Sequence, residues 1–522
     1  MTKTPTISAA MIHPFSGRDV PWLLRTRAET TPDDPFLVWE SFAGEDRAWN
    51  CAAFAAAVED CAANLAAQDI GPGDRVMIHL DNCPEFLFLW FACARIGAIA
   101  VTTNTRCPAD EIAYFATHSR AALAVTQPKY AAAVRASMDA GLPVLVRERD
   151  PGVEAVAPIA GGCLPLSALF VPADPLPAIA SDPTRPVSVQ YTSGTTSRPK
   201  GVVWTHANAL WAAKVNAAHA GVRDDDVTPV FLPLFHTNAI GYSTLASLWS
   251  GGTIVLQPRF SASRFWDIAR RHRCTWANMI GFTIKSLISR EAPASHDFRF
   301  WACASDVAPI RALWGIKTIG WWGMTETVSH GIVADRGWPN AEMGMGHAAA
   351  EYGVRVLSDD GEPVLPGGTG KLQILGVRGL SLFLEYLDDP AATAAAFTGD
   401  GWLDTGDMVT LTPSGDLFFA EREKDMLKIG GENVAASEIE RVLMGFPGVV
   451  EAAVVGRPDE MLDEVAVAFI VAAPGIEAAA VVTHCAAQLA DFKVPRAVHF
   501  LDELPKGTLD KVLKRDLRAR LV

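Results

Sequence analysis

Residues 191–202 read YTSGTTSRPKGV. Five hydroxyl-bearing side chains, Thr192, Ser193, Thr195, Thr196 and Ser197, surround Gly194, with Lys200 and Gly201 close behind. Such a loop offers backbone N–H groups, hydroxyl donors and one cation together, the set needed to wrap a polyphosphate. Glycine lets the backbone come close to the ligand. No Gly-Lys-Ser/Thr closes the loop, so it is not a Walker A sequence, and it is no dinucleotide fingerprint. The strand-like VSVQYT runs into it, so the loop is predicted to leave the end of a buried strand.

Upstream, residues 51–68 have helical periodicity, GDRVMIHL at 73–80 reads as a turn and buried strand, PEFLFLWFACARIG as a helix, and AIAV as a strand. This β-α-β alternation predicts a parallel sheet covered by helices. Residues 151–186, rich in Pro, Gly, Ala and Asp, read as a connector. From residue 352 to 419 short strands alternate with Gly-rich turns, which predicts a small β-barrel. The last hundred residues carry a compact α+β pattern of domain size. The charged run EREKD at 421–425 is placed at the hinge between the two parts.

The chain has 522 residues, 49% of them hydrophobic, and a formal net charge of -14. A core of several subdomains is expected at that length. The acidic balance argues against nucleic acid and against anionic membranes as partners. Nine scattered cysteines contain no Cys-x-x-Cys pair, which predicts neither a disulfide framework nor a zinc site. The first residues lack a signal-peptide apolar core, and the apolar stretch 86–101 is too short and interrupted to span a bilayer. A cytoplasmic enzyme without membrane insertion is the resulting expectation.

Further motifs follow in order: LPLFHTNA at 232–239, WWGMTET at 321–327, WLDTGD at 402–407, EREKDMLKIGGENV at 421–434 and LPKGTLDKVLKRDL at 504–517. Together with YTSGTTSRPKGV they resemble the core motifs of the adenylate-forming superfamily, which includes acyl-CoA synthetases, peptide-synthetase adenylation domains and luciferases. The text from GWWGMTET to GGENVAASEIE is similar to the crotonobetaine/carnitine-CoA ligase branch. The resemblance implies an α/β fold: a large N-terminal domain (1–421) of two α/β sheets plus a β-barrel, and a small mobile α+β C-terminal lid (422–522). It implies an AMP-forming acid–thiol ligase that uses ATP, Mg²⁺ and coenzyme A on a small carboxylic acid, and it is compatible with a homodimer. A stand-alone adenylation enzyme loading a carrier protein is the alternative.

The resemblance also implies roles. Thr192, Ser193, Gly194, Thr195, Thr196 and Lys200 would hold the β- and γ-phosphates, Thr325 the α-phosphate, and Glu326 the magnesium ion. Trp322 would stack on adenine, beside Asp306 and Val307. Asp407 and Arg422 would hold the ribose, and Lys424 would be the pivot. Lys511 would be the catalytic cation, His236 would border the acyl pocket, and Gly430 and Gly431 would admit the pantetheine arm. Asn278, Gly281, Trp321 and Gly323 are expected to line an apolar acyl pocket larger than acetate. The chain departs from the family at Ser197, Asp306, Gly507 and Asp510.

Overall fold

The computed structural model describes residues 12–192, 198–288, 290–358, 360–422, 426–505, 512 and 514–521. The helices and strands follow the expected alternation: helix Cys51–Ala66, strand Arg75–His79, helix Pro84–Ile96 and strand Ile99–Thr102. Asn50 caps the first of these helices by accepting from the Ala53 N–H at 2.8 Å. Pro84 opens the second, where its missing N–H costs nothing, and Gly97 closes it in the left-handed region. That helix is buried at nearly every position, so it runs through the body instead of lying on it.

Strands Arg75–His79, Ile99–Thr102 and Pro186–Thr192 run parallel inside an eight-stranded sheet. Strand Lys200–Thr205 returns antiparallel to Pro186–Thr192, pairing Thr192 with Lys200. The hydroxyl-rich loop is therefore the connection of a hairpin at one end of this sheet, and residues 193–197 lie outside the described residues. A four-stranded sheet and a five-stranded sheet adjoin where the Thr275 N–H donates to the Val227 carbonyl at 2.9 Å. They act as the second α/β layer. Four antiparallel strands between Gly353 and Arg422 make the barrel-like part.

The strands from Met426 onward pair only with one another among the described residues, in a five-stranded sheet of their own. Helices Ala436–Met444 and Ala478–Ala486 help to form its separate core. The main core is continuous and includes Trp90, Trp204 and Trp301, each under 2% exposed. Fully burying a large apolar side chain is worth about 1.5–3 kcal/mol. The cysteines are free thiols, and no described helix is long and apolar enough to cross a membrane.

One glycine joins the second α/β layer to the barrel. Gly346 has φ +111°, and its backbone bridges to Leu417. A Cβ there would stand 2.2 Å from the Ala334 nitrogen and 2.4 Å from the Val333 oxygen, both fixed backbone. Gly346→Ala is expected to destabilise the protein by about 3 kcal/mol or more. Gly361→Ala, at φ +82° but in open space, should cost about 1 kcal/mol. Thermal denaturation of the two variants side by side checks the difference.

Candidate active site

A cavity of about 1350 Å³ opens between the main body and the C-terminal sheet. The strand ends supply its walls. Thr192, Lys200, His236, Thr325, Glu326 and the turn Gly430–Gly431 all line it. Five of the six sequence motifs, all but the C-terminal one, thus contribute to one space. Lys511 lies outside the described residues, as do Ser193, Gly194, Thr195, Thr196 and Lys424.

The centre of the wall is a chain of hydroxyls. Thr237 stands within 2.9 Å of Gln190 Oε1 and 3.1 Å of Thr325 Oγ1. Trp204 donates its indole N–H to the Thr325 carbonyl at 2.9 Å. Thr325 is thus held from both sides by protein groups, which fixes its orientation on the cavity wall. Glu326 is 5% exposed and accepts from the Tyr386 hydroxyl at 2.9 Å. Burial and the adjacent Glu326 carboxylate push the Tyr386 hydroxyl well above its ordinary pKa, so it stays a donor. The Lys200 ammonium sits 4.6 Å over the Tyr386 ring. A buried carboxylate on a wall shared with the Lys200 ammonium fits a magnesium ion carried on a polyphosphate, since that ion takes one or two carboxylates plus phosphate oxygens. No described cluster of three or more metal-ligating side chains exists.

Asp407 is 2% exposed and accepts from the Trp322 indole N–H at 2.9 Å. Trp322 itself belongs to the main core and orients Asp407. Arg422 stands opposite Asp407 in the strand register. Next to Asp407, Asp404, Thr405 and Gly406 reach the cavity wall. Asp306 and Val307 are off that wall. Asp306 accepts from Thr318 Oγ1 and lies 3.8 Å from Arg311, while the Val307 N–H donates to Thr318 Oγ1 at 2.7 Å.

Of the four expected acyl-pocket residues, Gly323 lines the cavity and the other three stand outside its wall. Trp321 stacks on His330 with ring centres 3.9 Å apart. Asn278 donates to Ser243 Oγ at 2.6 Å, one layer back. A Cβ on Gly281 would meet Asp463 of the C-terminal sheet at 2.9 Å. The wall is also less apolar than expected: Asn238 and Tyr242 line it beside Gly323.

The C-terminal sheet is docked by charge. Glu432 follows the glycine turn and accepts from His236 Nε2 at 3.1 Å, with Arg106 at 3.6 Å. Burial works to raise the Glu432 pKa, but His236 and Arg106 outweigh it and hold the carboxyl below its ordinary value. Lys285 reaches Asp463 at 2.7 Å. Lys493, 5% exposed, bonds Glu438 at 2.7 Å and faces Glu111 of the main body at 3.6 Å. None of Glu432, Tyr386, Thr237, Lys493 or Glu111 stood out in the sequence. Glu432 sits inside the quoted KIGGENV, next to the glycines that drew attention instead.

Residues 24–387 match the AMP-binding enzyme family, and residues 438–511 match the AMP-binding enzyme C-terminal domain. The chain belongs to the AMP-binding enzyme family. It is 33% identical to crotonobetaine/carnitine–CoA ligases of Salmonella paratyphi C and Salmonella typhi, over 93% of this chain and 96% of each relative. Among solved structures it resembles a double mutant of o-succinylbenzoate CoA synthetase (MenE) from Bacillus subtilis bound to the product analogue OSB-NCoA. The TM-score is 0.83 at 26% identity, covering 95% of this chain and 98% of that one. The same Bacillus enzyme in complex with AMP gives a TM-score of 0.67 at the same identity and coverage. A Mycobacterium tuberculosis fatty acyl CoA synthetase gives 0.67 at 29% identity, covering 96% and 98%.

Lys493 is already neutralised by the nearer Glu438, so burial dominates at Glu111 and raises its carboxyl to about 7. A raised carboxyl favours the docked arrangement fully below the ordinary carboxylate range and loses that contribution as pH rises through about 7. Docking should therefore weaken between about pH 4.5 and pH 7. Glu111→Gln, fixed in the neutral form, should flatten that dependence. A fluorescence-transfer pair on helices Ala109–Ser119 and Ala436–Met444 reads it, and equal pH slopes in both proteins would count against Glu111.

Proposed function

We infer that this chain is an AMP-forming acyl-CoA synthetase acting on a small carboxylic acid. The observation that carries this reading is the convergence of the phosphate-loop flanks, Thr325, Glu326 and the Gly430–Gly431 turn on one cavity. In the first half-reaction a carboxylate oxygen attacks the α-phosphorus of ATP, and pyrophosphate leaves. Both reactants are anionic, so positioning and charge neutralisation dominate the barrier. Thr325, held by Thr237 and Trp204, would contact the α-phosphate. Lys200 and the loop beside it would hold the β- and γ-phosphates. Asp407, oriented by Trp322, would accept from the ribose hydroxyls, with Arg422 opposite. Glu326 would hold magnesium, which neutralises charge on the triphosphate when bound. Lys511 would enter as the cation at the developing charge.

In the second half-reaction a thiol sulfur attacks the acyl carbon and AMP leaves. Gly430 and Gly431, at φ +58° and +83°, border the cavity next to Glu432 and His236. Their missing side chains suit the passage of a pantetheine arm. The higher TM-score to the enzyme bound to a thioester-product analogue than to its AMP complex supports reading this docking as the thioester-forming arrangement. We read residues 1–421 and 422–522 as the two domains. The separate pairing of strands from Met426 onward supports that boundary.

Two substitutions should split the half-reactions. Lys511→Ala should lower adenylate formation by on the order of a hundredfold or more and largely spare thioester formation from supplied acyl-adenylate. Gly431→Ala should do the reverse, because a Cβ there meets Ile280 Cδ1 at 2.3 Å in this arrangement. Pyrophosphate release and thioester formation, measured separately, check both. Equal damage to both steps in either variant would contradict the assignment.

A further inference from the structure

The cavity wall behind Thr325 is built from an unusual backbone. Residues Asn238–Leu245 form a π-helix of eight residues, directly after His236 and Thr237. Such wide turns are rare and cluster at functional sites. Here side chains reinforce the wide turn. Ser243 Oγ donates to the Asn238 carbonyl at 3.3 Å, and Thr244 Oγ1 to the Ala239 carbonyl at 2.9 Å. Asn278 clamps Ser243 from behind at 2.6 Å. In a ladder closed from i to i+5, residues four apart stand on nearly the same face. Asn238 and Tyr242 are such a pair, and both line the cavity.

Both also keep hydrogen-bonding capacity. The Asn238 Oδ1 is enclosed and has no hydrogen-bond partner among the described residues. The Tyr242 side chain is 6% exposed and packs on His330 at 4.2 Å. Its hydroxyl stands 2.6 Å from where a Cβ on Gly323 would be, so it faces that part of the wall. Burial, with a smaller contribution from Glu326, raises the Tyr242 pKa, which keeps the hydroxyl protonated and able to donate. An apolar occupant would leave an enclosed acceptor and a buried donor unmet, and unmet buried polar groups discriminate strongly between otherwise similar ligands.

We propose that Asn238 and Tyr242, set side by side by the π-helical turn, select a carboxylic acid that carries a hydroxyl group on its chain. The hydroxyl donates to Asn238 Oδ1 and accepts from the Tyr242 O–H. A ketone can only accept, and an alkyl chain or a quaternary ammonium group does neither. This rests on the acyl-CoA synthetase reading, in which the acid extends from Thr325 past Gly323.

The test compares matched acids that differ only in a hydroxyl or a methyl group at the third, fourth or fifth carbon, plus a trimethylammonium acid of similar length. Thioester formation is followed with ATP and coenzyme A. For at least one position kcat/KM of the hydroxy acid should exceed that of its methyl counterpart by about tenfold or more. Tyr242→Phe and Asn238→Leu should each bring that ratio close to one. The ratio is taken within one enzyme, so a loss of folded protein cancels. A preference for the methyl or trimethylammonium acid would overturn the proposal, as would a ratio unchanged in both variants. Thioester formation from any of the acids would still uphold the synthetase reading. Failure with every acid would overturn that reading as well.

Discussion

The contact between His236 and Glu432 decides how the rest of the site is assembled. It joins the loop that precedes the π-helical turn to the glycine turn of the C-terminal sheet. A pair of this kind, a buried carboxylate with a part-exposed imidazole, adds little net stability, because desolvation offsets much of the attraction. Its effect is specificity: removing one partner leaves a buried charge unmet, so only one docking of the C-terminal sheet satisfies both groups. Lys285 with Asp463 adds a charged contact at another point of the same interface. Polar contacts of this kind are typical of interfaces between domains of one chain. A hydrophobic seam of the same size would hold the two parts in one state.

The main body supplies the complementary half of the chemistry. Its strand ends place Thr192, Lys200 and Thr325 on one wall, and packing rather than ligand holds them there. Trp204 and Trp322 illustrate the device. Each is a core side chain whose single polar atom reaches a site residue, the Thr325 carbonyl or the Asp407 carboxylate. The core therefore sets the orientation of Thr325 and Asp407. This is why substitutions in buried tryptophans should be felt as loss of function as much as loss of stability.

Much of this was legible in the sequence. The helix over residues 84–96 and the strands flanking it follow from apolar periodicity with Pro and Gly at the ends. The place of the hydroxyl-rich loop after a buried strand follows from VSVQYT. What could not be read were relations between distant segments. Nothing in the sequence places Tyr386 on Glu326 or Glu432 on His236, because such pairs arise only when segments distant in the chain pack together. Nor does 3.6-residue periodicity foresee a π-helix at Asn238–Leu245. Reading that segment as ordinary helix hides the shared face of Asn238 and Tyr242. Trp321 and Asn278 illustrate the converse error. Their position beside known motifs suggested an acyl-pocket wall, whereas the structure puts them one layer behind it, on His330 and Ser243.

The most direct measurement is a double-mutant cycle across the docking contact, with His236→Gln and Glu432→Gln scored separately on each half-reaction. The docked arrangement predicts a coupling energy of about 1.5–3 kcal/mol in thioester formation from supplied acyl-adenylate, and simple additivity in pyrophosphate release. Additive effects in thioester formation, or equal coupling in both steps, would contradict it.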